Sequence, residues 1–224
     1  KGDEILTTSH EYGAMDRAWK FLCNKTGSVY INQDISLPLV SKDHFIDEFK
    51  KGISAKTKVI FLSHITSPTA LVFPVKEICD IAREKNIITI IDGAHAPAQL
   101  DLDISDINPD FYSGACHKWM CSPKGVAFLY VNKNFQHKIE PLVVSWGYES
   151  DNPGHSQFLD YLQWQGTYDM SAYLTIPDTI DFLNKHNWDN ITKQCHELNV
   201  WARDRISAEF DIEPICNSMF LGQM

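Results

Sequence analysis

No stretch of this sequence approaches the roughly 18 uninterrupted apolar residues that cross a bilayer, and its opening, Lys1-Gly2-Asp3-Glu4, has none of the character of a secretory leader. Positive charge is in deficit. Lys and Arg number 20 against 29 Asp and Glu, a formal net charge of -9 that disfavours nucleic acid or an anionic membrane as a partner. Neither G-x-G-x-x-G nor G-x-x-x-x-G-K-[ST] occurs, which argues against an ordinary nucleotide-binding α/β domain. The six cysteines, at 23, 79, 116, 121, 195 and 216, form no CxxC pair and have no histidine at metal spacing. The expectation is free thiols, no metal and a cytoplasmic setting. What is present is ordinary globular material: 224 residues, 44% hydrophobic and 22% charged, enough for one substantial core.

Two stretches carry chemistry. Ile87 to Ile91 reads as a strand buried on both faces, and Asp92-Gly93-Ala94-His95 follows it. In open α/β sheets ligands bind beyond the carboxyl ends of the strands, so Asp92 is placed to face one; the alternative is a turn or helix-cap aspartate. The second stretch is Gly114-Ala115-Cys116-His117-Lys118-Trp119, after an aromatic strand at Asp110-Phe111-Tyr112-Ser113 and before an apolar one at Val126 to Val131. Most lysines are solvated surface charges. An amine among small residues and Trp119 would instead be desolvated and lose its proton more readily. A carboxylate and a lysine at the ends of two strands are what a pyridoxal phosphate site requires: one keeps the pyridine nitrogen protonated, the other holds the aldehyde as a Schiff base.

With these residues in view the sequence resembles the class V aminotransferase family of fold type I pyridoxal phosphate enzymes, and within it the isopenicillin N epimerase-like branch, related to the cysteine desulfurases. Three blocks carry the resemblance: Ser63-His64-Ile65-Thr66-Ser67-Pro68-Thr69-Ala70 with Pro74-Val75, Ile91-Asp92-Gly93-Ala94-His95-Ala96-Pro97, and His117-Lys118-Trp119 with Pro123-Lys124-Gly125. It implies an α/β fold, a transferase-like large domain whose mainly parallel sheet is flanked by helices, followed by the start of a smaller C-terminal domain. The expected division is 1–186 for the cofactor-binding domain and 187–224 for a bridging helix and the beginning of the small one. The resemblance covers nearly all of this chain but only part of the family's length. The family's glycine-rich phosphate loop is expected before Lys1, and its carboxylate-binding arginine and the desulfurases' nucleophilic cysteine beyond Met224.

The resemblance also assigns roles. Lys118 carries the cofactor, Asp92 holds the ring nitrogen, and His95 lies near the phenolic oxygen; a histidine bonded only to backbone is the alternative for the last. Tyr12 would stack on the cofactor face, or else pack the start of its helix. Ser67 stands where the desulfurases have an asparagine and can still donate one hydrogen bond. His117 and the loop around Ala115 would hold the phosphate, although Ala115 replaces a serine or asparagine and leaves that contact to backbone amide or to nothing. Thr167, after Gly166, would reach the phosphate of a neighbouring subunit, making a homodimer with shared sites; its alternative role is a helix cap. Tyr168 and Met170 depart from the family's arginine and small residue. His64 is left outside the site as a core histidine.

The chain otherwise reads as alternating strands and helices. Strands are expected at Glu4 to Ser9, Ser28 to Ile31 and Val59 to Leu62, with helices through Trp19, from Asp43 to about Ile53 and from Val75 to about Lys85. An irregular region runs through Pro141, Gly147 and Asn152-Pro153-Gly154. Helices then follow from about Met170 to Asn184 and from about Trp188 to Phe210, the last with Ile191, Cys195, Leu198 and Ile206 on one stripe. The implied chemistry begins with α-proton removal from an amino acid by the freed Lys118 amine. Epimerisation, loss of a β-substituent as in a lyase or desulfurase, and transamination all follow from that step, and the residues do not choose among them. A non-catalytic protein keeping the fold is the reading from a different class, supported by Ala115.

Overall fold

The computed structural model describes residues 1–224. Six strands form one sheet in the order β2-β1-β3-β4-β5-β6: β1 Glu4–Thr8, β2 Val29–Gln33, β3 Thr57–Ser63, β4 Ile88–Asp92, β5 Phe111–Ala115 and β6 Ala127–Val131. The first five pair in parallel, and β6 returns antiparallel to β5. Helices α1 Gly13–Thr26, α2 Lys42–Lys50, α3 Val75–Glu84 and the short α4 Ile104–Ile107 make the connections between the parallel strands. Beyond β6 come α5 Lys133–Gln136, α6 Gln157–Gln163, α7 Ser171–Leu174, α8 Ile176–Lys185 and α9 Trp188–Phe210.

The helices start and stop for local reasons. Ser41 caps α2 by accepting from the His44 N–H at 3.0 Å, and Phe45 and Phe49, one turn apart, are wholly buried. Pro74 precedes α3, whose Val75, Ile78, Cys79 and Ala82 repeat at helical spacing on the buried side. Gly27 ends α1 at φ 74, a left-handed conformation that costs a residue without Cβ little.

Strand alternation divides the core. Leu6, Ile60, Leu62, Ile91 and Tyr112 face a cluster of 20 buried residues that includes the apolar sides of α2 and α3. Ile5, Val59, Phe61 and Ile90 point the other way, toward α1 and Trp19, where the buried apolar cluster has only three members, Ile5, Cys23 and Phe61. The β4 run is therefore buried completely on one face and partly on the other, with Thr89 and Ile91 buried and Ile88 and Ile90 intermediate. Residues 216–223 return to the large cluster: Cys216 and Phe220 belong to it, and Leu221 bridges to Leu71.

Several boundaries differ from the sequence expectation. Helix α2 ends at Lys50, and Ile53 packs on the core from the turn beyond it. The helix expected from Met170 to Asn184 is two, because Pro177 at the start of α8 has no N–H to continue the hydrogen-bond ladder from α7. The region expected to be irregular contains α6, capped by Ser156. No residue of α9 is buried, and Leu198 and Ile206 of its apolar stripe are 62% and 57% exposed.

At the carboxyl edge, Gly93 lies against the buried ring of Tyr112, so that a Cβ built on it would come within 2.2 Å of the ring. Gly93→Ala is expected to destabilise the protein by about 1–3 kcal/mol through this overpacking. Thermal or denaturant unfolding checks it; unchanged stability would mean that the ring yields freely.

Candidate active site

The strands β1, β3, β4 and β5 are neighbours, and their carboxyl ends fall at Thr8, Ser63, Asp92 and Ala115. The chain leaves β1 toward β2 and returns on its other side to form β3, which puts the switch in strand order between β1 and β3. Ligands of open α/β sheets bind at such an edge. Tyr12, Ser67, Asp92, His95, His117 and Lys118 all lie on or just beyond these four ends. Thr167 does not: it is exposed in the loop between α6 and α7.

Lys118 and His95 meet. Lys118 Nζ is 3.1 Å from His95 Nε2, and the Trp119 indole Nε1–H donates to His95 Nδ1 at 3.3 Å. The expected dry pocket is only partly realised, since the Lys118 side chain as a whole is exposed. Burial of its amine end still lowers the Lys118 pKa below the usual lysine value, against the opposing pull of the Asp92 charge. His95 is likewise lowered, first by burial and then by the Lys118 charge, with Asp92 opposing. Asp92 itself ends β4, and its Oδ1 accepts the Ala94 N–H at 3.0 Å in a tight local turn.

At the phosphate side expected from the resemblance, His117 Nδ1 donates to the Val126 carbonyl at 2.9 Å, which leaves Nε2 as its free nitrogen. The amides of Cys116 and His117 both donate to the same Val126 carbonyl, at 3.0 and 3.2 Å. Those two amides are occupied and do not replace the side-chain donor that Ala115 lacks. Ser122, further along this loop, has a buried hydroxyl without a hydrogen-bond partner.

Tyr12 is the N-cap residue of α1 and is 52% exposed, so its ring is not consumed by packing the helix start. Ser67 is exposed in a turn. Thr167 is not a helix cap: α7 starts at Ser171, whose N–H is taken by Asp169 Oδ1 at 2.8 Å. His64 is a core histidine. It is buried with Nδ1 2.9 Å from the Tyr112 hydroxyl, and burial depresses its pKa to about 4.

Sequence reasoning missed Glu11. This carboxylate is buried beside Tyr12, accepts from the Thr8 hydroxyl at 2.6 Å and from the Ser63 amide and hydroxyl at 2.9 and 2.6 Å, and so links the ends of β1 and β3. Burial raises its pKa, with those hydrogen bonds pulling it back. The available signal was a charged residue placed just after a buried strand, with a serine at the end of another.

A cleft of about 990 Å³ lies elsewhere, over β6, lined by residues such as Phe128, Leu129, Trp146, Trp164, Tyr168 and Met170. Its only carboxylate is Asp160, and it contains no lysine or histidine. Chemistry rather than volume therefore locates the site. An amine with lowered pKa, an imidazole touching it and a carboxylate at the next strand end form a donor set that fits pyridoxal phosphate.

Fold and donor set together define an α/β domain of the kind that can hold pyridoxal phosphate. Comparison with known proteins narrows this. The family model for class V aminotransferases matches residues 1–217. Isopenicillin N epimerase of Amycolatopsis lactamdurans is 33% identical over 224 residues, covering 96% of this chain and 56% of that protein. A putative L-cysteine desulfhydrase of Oryza sativa is 33% identical over 83% of this chain and 39% of its own length. Among solved structures, an apo cysteine desulfurase from Thermococcus onnurineus superposes with a TM-score of 0.80 at 19% identity, covering all of this chain and 56% of that one. The chain belongs to the class V aminotransferase family. It spans about half the length of the epimerase it matches.

The depressed His64 pKa makes a stability prediction. Between about 6.5 and about 4 the unfolded chain holds a proton on this histidine that the folded chain refuses. Stability should therefore fall as pH drops through that window, by on the order of 3 kcal/mol from this group. Denaturant unfolding as a function of pH, compared between wild type and His64→Gln, checks it: the acid slope should flatten in the variant.

Proposed function

We propose that this protein is a pyridoxal phosphate enzyme acting at the α-carbon of an amino acid or a compound derived from one, in the manner of isopenicillin N epimerase. The observation that carries the reading is the approach of Lys118 Nζ to His95 Nε2 next to the carboxylate of Asp92. Lys118 would hold the cofactor aldehyde as a Schiff base and afterwards serve as the base that takes the α-proton. The cofactor supplies a ring that draws electrons from the substrate's α-carbon. Asp92 keeps the ring nitrogen charged, His95 donates to the phenolic oxygen, and Tyr12 covers one ring face. Ser67 offers a hydroxyl to cofactor or substrate, and His117 holds the phosphate. Because the Nδ1 proton of His117 is engaged by Val126, only its Nε2 is available to that phosphate, and it can donate there only when the ring carries both protons.

Thr167 completes the phosphate site from a second copy of the chain in this reading. Its exposure and its distance in sequence from the Lys118 loop support a role outside its own site. The division near residue 186 belongs to the same proposal, with the uncovered apolar side chains of α9, Leu198, Trp201 and Ile206, facing a smaller domain. Carbon–sulfur lysis or desulfuration is the second reading, favoured by the desulfhydrase relative. Both share every step up to loss of the α-proton.

Two experiments test this. Added pyridoxal phosphate should give a visible absorption band, and borohydride reduction with peptide mapping should find the adduct on Lys118. Lys118→Ala should lose the band and at least about a hundredfold in turnover, the lower range for a missing acid–base group. A variant that kept both would exclude Lys118 as the cofactor lysine. Mixing Lys118→Ala with Thr167→Ala chains should restore activity, since a hybrid dimer has one intact site; hybrids that form and stay inactive would remove Thr167 from the site.

A further inference from the structure

His95 stands between two nitrogen groups, with Trp119 Nε1 3.3 Å from its Nδ1 and Lys118 Nζ 3.1 Å from its Nε2. An indole N–H donates and never accepts, so Nδ1 must present a lone pair to it. A neutral imidazole has one ring proton, and that proton is then on Nε2, directed at Lys118. An ammonium has three donors and no acceptor. Lys118 can receive the Nε2–H only through the lone pair of a neutral amine.

We propose that Trp119 is a positioning residue which, by fixing His95 as the Nε2–H tautomer, holds Lys118 as the free amine that can add to an aldehyde. The inference rests on the reading of Lys118 as the cofactor lysine and goes further by naming the group that prepares it. Without the indole donor the imidazole is free to carry its proton on Nδ1 and offer Nε2 as an acceptor. A Lys118 ammonium would then gain a charge-assisted hydrogen bond, and the protonated lysine would be favoured. The charged groups acting on the pair are Asp92, which acts on both, and Lys118, which acts on His95. Asp92 pulls both toward their protonated forms, while burial pulls both toward neutrality. Trp119 adds a directional preference on the side of neutrality, one that burial alone does not supply.

The test uses the protein stripped of cofactor with hydroxylamine. Trace labelling with acetic anhydride across a pH series, read on the Lys118 peptide by mass spectrometry, reports the fraction of free amine. Trp119→Phe keeps an aromatic ring and removes the donor. Its Lys118 labelling at pH 7 should fall about tenfold, equivalent to a rise of about one pKa unit, with the whole profile displaced to higher pH. The ¹⁵N spectrum of His95 should show the proton on Nε2 in the wild type and a shift toward Nδ1 in the variant. An unchanged labelling profile in a folded variant overturns the proposal. So does a wild-type His95 protonated on Nδ1, a result that needs no variant. A cofactor adduct on Lys118 with an unchanged profile rejects only this inference, whereas a displaced profile without any adduct rejects the cofactor reading instead.

Discussion

The parallel register of β1, β3, β4 and β5 is the constraint on which the site depends. It sets Ser63 opposite Asp92 and Asp92 opposite Ser113, so that loops distant in sequence open at one edge. The edge is then tied across the strands. His64 N–H donates to the Asp92 carbonyl and Gly93 N–H to that of Ser113, at 2.9 and 2.8 Å. The Tyr112 ring sits beneath, against Gly93 and bonded to His64. A buried aromatic ring with a satisfied hydroxyl makes a firm floor, and the absence of a Cβ at Gly93 lets the strand end lie directly upon it. The carboxylate of Asp92 and the backbone leading to His95 inherit their positions from this packing.

Much of that arrangement was legible from the sequence because its signals are local and physical. Buried parallel strands read as apolar runs, and Asp92 and Lys118 are polar residues where those runs stop, whereas His95 was reached through the family resemblance. The shape of α2 and α3 followed from apolar residues at helical spacing. Most of what escaped was decided by contacts between distant segments. The partnership of Glu11 with Ser63 depends on β1 and β3 being neighbours, which periodicity within either strand does not reveal. The occupied amides of Cys116 and His117 depend on the antiparallel return of β6, and the break between α7 and α8 on one proline in an otherwise helical pattern. Lys118 was expected to be drier than it is, because its neighbours in sequence are small and aromatic but do not enclose the whole side chain.

The site assigns different electrostatic tasks to groups of similar type. His64 and His95 are both depressed by burial, but one faces a phenol in the core and the other a lysine amine at the edge. His64 is part of the floor, and a proton gained there would cost stability rather than perform chemistry. His95 has an amine as its neighbour, so its proton position bears on that group's charge. The carboxylates divide in the same way: Glu11 is enclosed by three donors, while Asp92 lies at the open end of its strand and acts on both Lys118 and His95.

In the proposed function, that division would let a partly exposed lysine serve. Full burial would lower an amine's pKa further but would also close the route for an aldehyde and for a substrate. An exposed stem ending against an imidazole leaves the route open, and the hydrogen-bond pattern compensates for the dehydration that is missing. Asp92 works against this in the free chain by favouring the ammonium, yet the same negative charge is what a pyridinium nitrogen would need. A proton-directing contact at Trp119 reconciles the two demands: it favours the neutral amine through one bond of fixed direction and leaves the carboxylate charge available to the cofactor ring.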